Sequence, residues 1–314
     1  MNCRAIQSRR PTATTKMPSA APRTLALHDW QARADAQRQR AGRWTVPYRE
    51  RRARGTMHPI YDFLFLYYRF APTQLEHWHP GLGVTLEAPS DATTWLSDKF
   101  YSHTANGLTL DPAKLDFKAR TRLQWHLGLC RSIQQRSTQF KCFGLHEWAM
   151  VYRGGPDGRA RHEGTLPMRL PQAQIDAVVE SRAICCSHFD AFRFFTDSAR
   201  TLNRLQPTQD SRIDNEQAGC LHTNMDLYKW ASKSMPWIGS ELLWDCFEFA
   251  LRCRELDMRA SPYNCRSLGY EPIPIETEAG RAHYEREQRA LSAAAQPLRA
   301  RLIDALQALL DASA

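Results

Sequence analysis

The chain lacks the patterns that mark membrane and secreted proteins. It contains no run of eighteen apolar residues, and no apolar segment follows Met1, which argues against a transmembrane helix and a secretory signal. Its nine cysteines form no Cys-x-x-Cys pair, and the adjacent Cys185 and Cys186 are poor disulfide partners for each other. We therefore expect a reduced, cytoplasmic protein that makes no contact with a membrane.

The signatures of several enzyme classes are also missing. The chain has no Gly-x-Gly-x-x-Gly fingerprint, no glycine-rich phosphate loop and no Gly-x-Ser-x-Gly elbow. It has no His-x-x-x-His or His-Glu-x-x-His pattern of the kind that places two imidazoles on a metal. These absences argue against a dinucleotide-dependent enzyme and an α/β-hydrolase, and we predict no cofactor and assign no metal ligand.

Acidic residues are scarce at the start of the chain. Residues 1–55 contain 13 Lys/Arg and 3 Asp/Glu, although the whole chain has a net charge of only +9. We therefore predict a basic, partly disordered N-terminal arm over residues 1–55, followed by a helical catalytic domain over residues 56–314. Such an arm is typical of proteins that bind phosphate backbones, and a merely solvated extension is the alternative.

Apolar periodicity predicts a mainly α fold, a single helical domain with a few short strands, and an α+β fold is the alternative. Predicted helices cover 28–43, 59–68, 111–130, 171–183, 222–233, 240–256 and 278–310. Predicted strands cover 84–88 and 165–170, whereas 140–152 and 184–196 fit either structure.

Three apolar, aromatic segments each contain a histidine beside a carboxylate. These pairs are His146 with Glu147, His188 with Asp190, and His222 with Asp226. Ionisable side chains are seldom buried unless they are paired or bound. The three segments therefore predict one polar pocket inside the core, suited to acid–base chemistry or metal binding.

The spacing within each pair limits what it can do. His222 and Asp226 share a helix face, which suits either metal binding or an ordinary buried hydrogen bond. His188 and Asp190 share a face only on a strand, and Asp190 is also a candidate cap for a helix that starts at Ala191. His146 and Glu147 are adjacent and point apart, so we expect only one of them to face the pocket.

Six segments together resemble a group of bacterial proteins known as 3-methyladenine DNA glycosylases. They are HPIYDFLFLYY (58–68), WHPG (78–81), CFGLHEWAMVY (142–152), CSHFDAFRFFT (186–196), GCLHTNMDLYKW (219–230) and LDMRASPY (256–263). The resemblance extends from about residue 24 to the C-terminal helix. It implies a DNA N-glycosylase that removes an alkylated or otherwise modified base and leaves an abasic site.

The chain departs from two well-understood glycosylase patterns, because it has neither a glycine-rich helix–hairpin–helix segment nor a Gly-Gln-Asp-Pro-Tyr segment. No catalytic residue is therefore transferred by motif, and roles are assigned from chemistry. A glycosylase must stack an extruded base, stabilise a sugar cation and hold phosphates. The predicted catalytic residues are Asp190, His188, Asp226, His222, Glu147 and His146, with Asp190 as the principal carboxylate. The predicted base-stacking residues are Phe143, Trp148 and Phe189, and the predicted DNA contacts are Arg51, Arg52, Arg54 and Lys229.

Two other functions compete with this one. The same six imidazole and carboxylate residues form a ligand pool for a helical non-haem metal-dependent oxygenase. Alternatively, the histidines only satisfy core hydrogen bonds in a non-catalytic nucleic-acid-binding protein. Under the glycosylase hypothesis the partner is DNA, and we expect a monomer.

Overall fold

The computed structural model describes residues 23–88, 99–154 and 166–313. Within these ranges the protein is mainly α, with twelve α-helices and one small four-stranded sheet, as the periodicity predicts. The helices are α1 (Leu27–Ala53), α2 (Asp62–Tyr68), α3 (Pro72–Glu76), α4 (Phe117–Gln135), α5 (Leu145–Ala149), α6 (Gln172–Glu180), α7 (Phe189–Phe192), α8 (Asp197–Arg200), α9 (Arg212–Asn215), α10 (Leu221–Lys233), α11 (Ser240–Ala260) and α12 (Glu278–Ala312). The strands are β1 (Arg23–Leu25), β2 (Val84–Leu86), β3 (Tyr101–Thr104) and β4 (Gly107–Leu110). None of the described helices has the length and apolar character needed to cross a membrane.

Helix α10 is the centre of the fold. It packs against α11 and α12, and α12 also packs along α4. Nearly every side chain of α10 is buried, including the polar Asn224 and Asp226. A helix buried on all sides must satisfy its polar groups inside the protein, so α10 brings hydrogen-bonding side chains into the core.

The sheet lies at the edge of this helical body, with strand order β1-β2-β4-β3. Strands β1 and β2 are parallel, with Leu25 opposite Leu86. Strand β4 pairs antiparallel with both β2 and β3, and its Thr109 lies opposite Thr85 and Ser102. The alternating burial of β4 places Leu108 and Leu110 in the core.

The described part of the basic N-terminal region is structured. Helix α1 continues past Gly42 and Pro47 to Ala53, because Trp30, Thr45 and Tyr48 are buried against the body. Residues 1–22 of the expected arm lie outside the described residues. Residues 23–55 therefore pack on the domain and are not a free arm. The boundary predicted at residue 55 does not mark the end of such an arm.

Two predicted elements differ from the structure. The helix expected to open at Asp111 is a single 3-10 turn, and α4 begins only after Asp116, whose side chain caps it by accepting from the Ala119 amide at 2.7 Å. Thr165 lies outside the described residues, and the rest of the strand predicted over 165–170 is an irregular segment with one isolated bridge, Met168 to Tyr263. The ambiguous segments 140–152 and 184–196 contain the short helices α5 and α7.

Two helical glycines provide a matched test of the packing. A Cβ atom on Gly280, in the first turn of α12, would lie 2.0 Å from the Pro274 carbonyl oxygen, whereas one on the exposed Gly128 of α4 would meet nothing within 4 Å. We expect Gly280→Ala to lower the free energy of unfolding by about 1–3 kcal/mol through overpacking. Gly128→Ala should raise it by about 0.5–1 kcal/mol because alanine favours helix. Urea denaturation measures both changes, and a stabilised Gly280→Ala variant would contradict the close approach.

Candidate functional site

The three segments that pair a histidine with an acid meet in the core. Helix α5 supplies His146, the residue before α7 is His188, and α10 supplies His222. The ring centroid of His222 lies 4.4 Å from that of His146 and 5.6 Å from that of His188. His222 is therefore the residue that joins the polar groups of all three segments into one buried array.

One half of the array is built around Arg254, a fully buried residue of α11. Its Nη1 atom donates to Glu147 Oε1 at 2.8 Å and to Asp257 Oδ2 at 2.6 Å. The other oxygen of Asp257 lies 2.5 Å from His146 Nε2. His222 Nε2 is 3.8 Å from Asp257 Oδ2. We call these five residues the Arg254 cluster.

The other half is built around Arg212, which is buried on the short helix α9. Its three guanidinium nitrogens reach Glu216 at 2.6 Å, Asp226 at 3.1 Å and Asp190 at 3.2 Å. Lys229 bonds both Asp190 and Asp226. With His188, described next, these residues form the Arg212 cluster.

His188 has a structural role in this second cluster. Its Nδ1 accepts a hydrogen bond from the Ala191 amide at 3.2 Å, so it caps α7. That bond leaves Nε2 to donate to Asp226 at 3.2 Å. The alternative that Asp190 caps this helix is therefore wrong. Asp190 lies in the first turn of α7, and its carboxylate is directed to the cations.

Burial and neighbouring charges shift the pKa values of Glu147 and Asp190 in opposite directions. Burial, together with the negative charge of Asp257, raises the pKa of Glu147 despite the attraction of Arg254. Burial would also raise the pKa of Asp190, but the Lys229 ammonium lowers it below its ordinary value. The surroundings thus shift Glu147 towards its protonated form and Asp190 towards its ionised form.

The pKa values of His146 and His222 are also shifted in opposite directions. Burial alone would lower the pKa of His146, but Asp257 and the Cys142 thiol raise it well above its ordinary value. Burial and the positive charge of His146 lower the pKa of His222 to about 3. His146 is therefore the cation of this pair, and His222 is a neutral imidazole at physiological pH.

Only part of the array faces open space. Glu147, Asp190 and His222 line a small cavity of about 20 Å³, together with Arg254 and the aromatic residues Phe63 and Tyr67. A space of this size holds about one water molecule. The lining does not include His146, His188 or Asp226. These three residues lie behind the lining residues and hold them in place.

A wider cleft adjoins the small cavity. Its volume is about 610 Å³, and it shares Phe63, Tyr67 and Phe194 with the cavity. Phe63 and Tyr67 stack on each other at 4.8 Å, and the exposed Arg69 and Arg193 also line the cleft. The cleft has the size of a small-molecule site, and its aromatic walls suit a flat ring.

Two residues that line the small cavity have polar atoms without partners. Arg254 Nε and Nη2 and His222 Nδ1 are buried and have no hydrogen-bond partner among the described residues. The guanidinium carbon of Arg254 lies 4.1 Å from the centroid of the Phe63 ring. Buried polar groups are rarely left unpaired, so these atoms favour a bound ligand or an ordered water here.

The array contains two sets of donor atoms within metal-binding range of one another. They are His146, Glu147, His222 and Asp257 in one set, and His188, Asp190 and Asp226 in the other. Protein cations already pair with the acids of both sets, through Arg254 in the first and through Arg212 and Lys229 in the second. A divalent ion would face these cations at close range, so the arrangement fits an ion-pair network better than a metal centre.

The predicted DNA contacts lie in different places. Arg51 makes a two-point ion pair with the buried Asp62 and so ties α1 to α2. Lys229 belongs to the Arg212 cluster, and its side chain is only 15% exposed. Arg52 bonds the Tyr48 hydroxyl at 3.1 Å, and Arg54 is exposed at the end of α1. Of the four, Arg52 and Arg54 remain accessible to a phosphate.

The predicted stacking residues do not line the cleft. Trp148 is fully buried and donates to the Ala260 carbonyl at 2.9 Å, so it is a core residue. Phe143 and Phe189 are half-buried but line neither the cleft nor the small cavity. The aromatic residues placed to stack a ring are those that the cleft and cavity share.

Four charged residues of the array are not among the residues predicted from the sequence, namely Arg254, Asp257, Arg212 and Glu216. A signal for the first two exists, because Phe247, Ala250, Arg254 and Asp257 follow helical spacing and place two charges on the apolar face of α11. No comparable signal marks Arg212 or Glu216, which come from a segment that reads as a polar loop.

Comparison with known proteins gives no match: no family model, no curated protein and no solved structure is significantly similar to this chain.

Proposed function

We propose that the protein is a DNA N-glycosylase that hydrolyses the bond between a modified base and its deoxyribose and leaves an abasic site. The observation that carries the proposal is the pairing of Glu147 and Asp190. Both carboxyl groups face one cavity, and their surroundings shift their pKa values in opposite directions. Two such groups are what acid-assisted cleavage of a glycosidic bond needs.

The two carboxyl groups take different roles. Protonated Glu147 donates its proton to the base nitrogen as the bond to the sugar breaks, so the base leaves as a neutral molecule. Ionised Asp190 stabilises the positive charge that develops on the sugar and accepts a proton from the attacking water. His222 is neutral, and its free Nδ1 atom hydrogen-bonds the base or the water.

The cleft supplies the binding energy. An extruded base would stack on Phe63, Tyr67 and Phe194, with its glycosidic bond at the mouth of the small cavity. Arg69 and Arg193 line the same cleft and would contact the flanking phosphates. These contacts replace the predicted stacking by Phe143, Trp148 and Phe189.

Base release from defined duplexes tests the proposal. The full chain is incubated with duplexes that each carry one modified base, and alkali then cleaves the strand at any abasic site. We expect alkali-dependent breaks at a subset of the modified bases, and we expect them to persist in EDTA because the network needs no metal. DNA binding without release of any base would support the non-catalytic alternative, and base release that EDTA abolishes and iron or manganese restores would contradict a site that works without metal.

The pH dependence of base release follows from the two pKa shifts. Glu147 must be protonated, so the rate should fall as pH rises through its raised pKa. Asp190 must be ionised, so its lowered pKa should keep the enzyme active at acidic pH values where an ordinary aspartate would be protonated. Glu147→Gln should lower the rate by about 10²–10⁴-fold and remove the alkaline limb. An unchanged alkaline limb in this variant would contradict the assignment of Glu147 as the acid.

A further inference from the structure

A second reactive arrangement adds Cys142 to two members of the array, His146 and Asp257, and takes no direct part in the proposed base release. Cys142 Sγ lies 3.4 Å from His146 Nδ1, and His146 Nε2 lies 2.5 Å from Asp257 Oδ1. The thiol, imidazole and carboxylate are thus in line, in the order that activates a nucleophile. Asp257 is fixed in turn by Arg254, so the imidazole is held rigidly toward the sulfur.

The groups that face Cys142 favour its thiolate. The hydrogen bond from Cys186 and the positive charge of His146 hold the pKa of Cys142 well below its ordinary value, although burial opposes this. Cys220, at the start of α10, and Tyr284, on α12, also face this thiol. Burial raises the pKa of each of these two groups, so both are neutral. His146 is therefore the charged group that pairs with the Cys142 thiolate.

Cys142 opens onto a cavity that is separate from the aromatic cleft. This cavity has a volume of about 340 Å³ and shares no lining residue with the cleft or with the small cavity. The charged residues that line it are Arg136, Lys141, Arg204 and Asp214, three cations and one acid. This excess of positive charge favours the binding of a negatively charged molecule.

A second feature of this cavity indicates a ligand. Gln288 lines it and is only 2% exposed. Its Nε2 donates to the Gly219 carbonyl at 2.7 Å, but its Oε1 has no hydrogen-bond partner among the described residues. A buried acceptor without a partner in this cavity favours a hydrogen-bond donor here, from a ligand or an ordered water.

We propose that Cys142 is the nucleophile of a second, thiol-based site that reacts covalently with negatively charged carbon electrophiles. The sulfur of the Cys142 thiolate forms a bond to the electrophilic carbon, and the leaving group departs with the electron pair of the bond that breaks. His146 keeps the proton taken from the thiol, and no oxidant or reductant is consumed. Lys141 and Arg204 attract the anionic group of the electrophile.

Competitive alkylation of the full chain tests this site, with Cys185 as an internal control. Cys185 is also half-buried and lines the same cavity, but within the described part of the chain it has no hydrogen bond to a histidine. The protein is treated briefly with iodoacetate at about pH 6, where a thiol with the usual pKa of about 8.5 is almost wholly protonated. Peptide mass spectrometry should show carboxymethylated Cys142 in at least tenfold excess over Cys185. Equal labelling of the two thiols, or no labelling of Cys142, would overturn the proposal.

Two further variants separate activation from simple exposure. His146→Gln should abolish the excess at Cys142, provided that circular dichroism shows an intact fold. Lys141→Ala combined with Arg204→Ala changes only exposed side chains and should lower the ratio of iodoacetate to iodoacetamide labelling at Cys142 at least threefold. An unchanged ratio in the double variant would refute the preference for anions even if His146→Gln fails to fold.

Discussion

Asp190→Asn is expected to reduce base release by about 10³-fold while leaving DNA affinity nearly unchanged. Asparagine keeps the size of the side chain but removes the negative charge that would stabilise the sugar cation and accept a proton from water. Two of the cations around it are held independently, because Arg212 and Lys229 also bond Asp226, and the third, Arg193, lies 3.3 Å from Asp190 Oδ1 with a largely exposed side chain. Single-turnover release of the base, measured with duplex binding on the same preparation, gives both numbers.

The control for this variant is Asp197→Asn on α8. The Asp197 side chain is fully exposed and lines neither the cleft nor the small cavity. Its substitution should change base release less than twofold. If Asp190→Asn is as active as Asp197→Asn, then Asp190 is only a structural partner of the cations and the proposed chemistry fails.

Arg254→Met is expected to destabilise the protein by about 3–5 kcal/mol. Methionine fills much of the space of the arginine side chain, but it leaves two buried carboxyl groups, Glu147 and Asp257, without their shared donor. Urea unfolding followed by circular dichroism measures the loss. The effect is large because Asp257 would keep a fully buried charge with only His146 as its close partner, and it cannot reach water from this position.

Arg252→Met is the matched control for this change, two residues earlier on the same helix. Arg252 is exposed, so its substitution should alter the free energy of unfolding by no more than about 0.5 kcal/mol. Equal effects at the two positions would mean that Arg254 contributes only apolar packing to the core. That result would remove the attraction by which Arg254 opposes the raised pKa of Glu147.

The sequence predicts three of the long helices closely, since α10, α11 and α12 lie within a few residues of their expected bounds. Helices α11 and α12 present a repeating apolar face, whereas α10 is buried on nearly all sides. The short elements α5 and α7 are harder to predict. A helix of four or five residues depends on a local cap and on contacts made after the chain has folded, such as the cap that His188 provides.

The members of the candidate site are predictable only in part. A histidine and an acid inside an aromatic segment can be seen in the sequence, and such pairs drew attention to Glu147, Asp190 and His222. Their cationic partners come from distant positions, since 107 residues separate Glu147 from Arg254. That long-range pairing decides which acid faces the small cavity and which lies behind it. No local sequence pattern indicates the pairing.

The most direct test of the account is the titration of Glu147 and Asp190 in the intact protein. Carboxyl ¹³C NMR of protein labelled at Asp and Glu, assigned with Glu147→Gln and Asp190→Asn, reports the two midpoints. We expect Glu147 to titrate above the ordinary glutamate value of about 4.3 and Asp190 below the ordinary aspartate value of about 3.9. Ordinary midpoints for both groups, or the reverse order, would contradict the division of acid and base on which the proposed function depends.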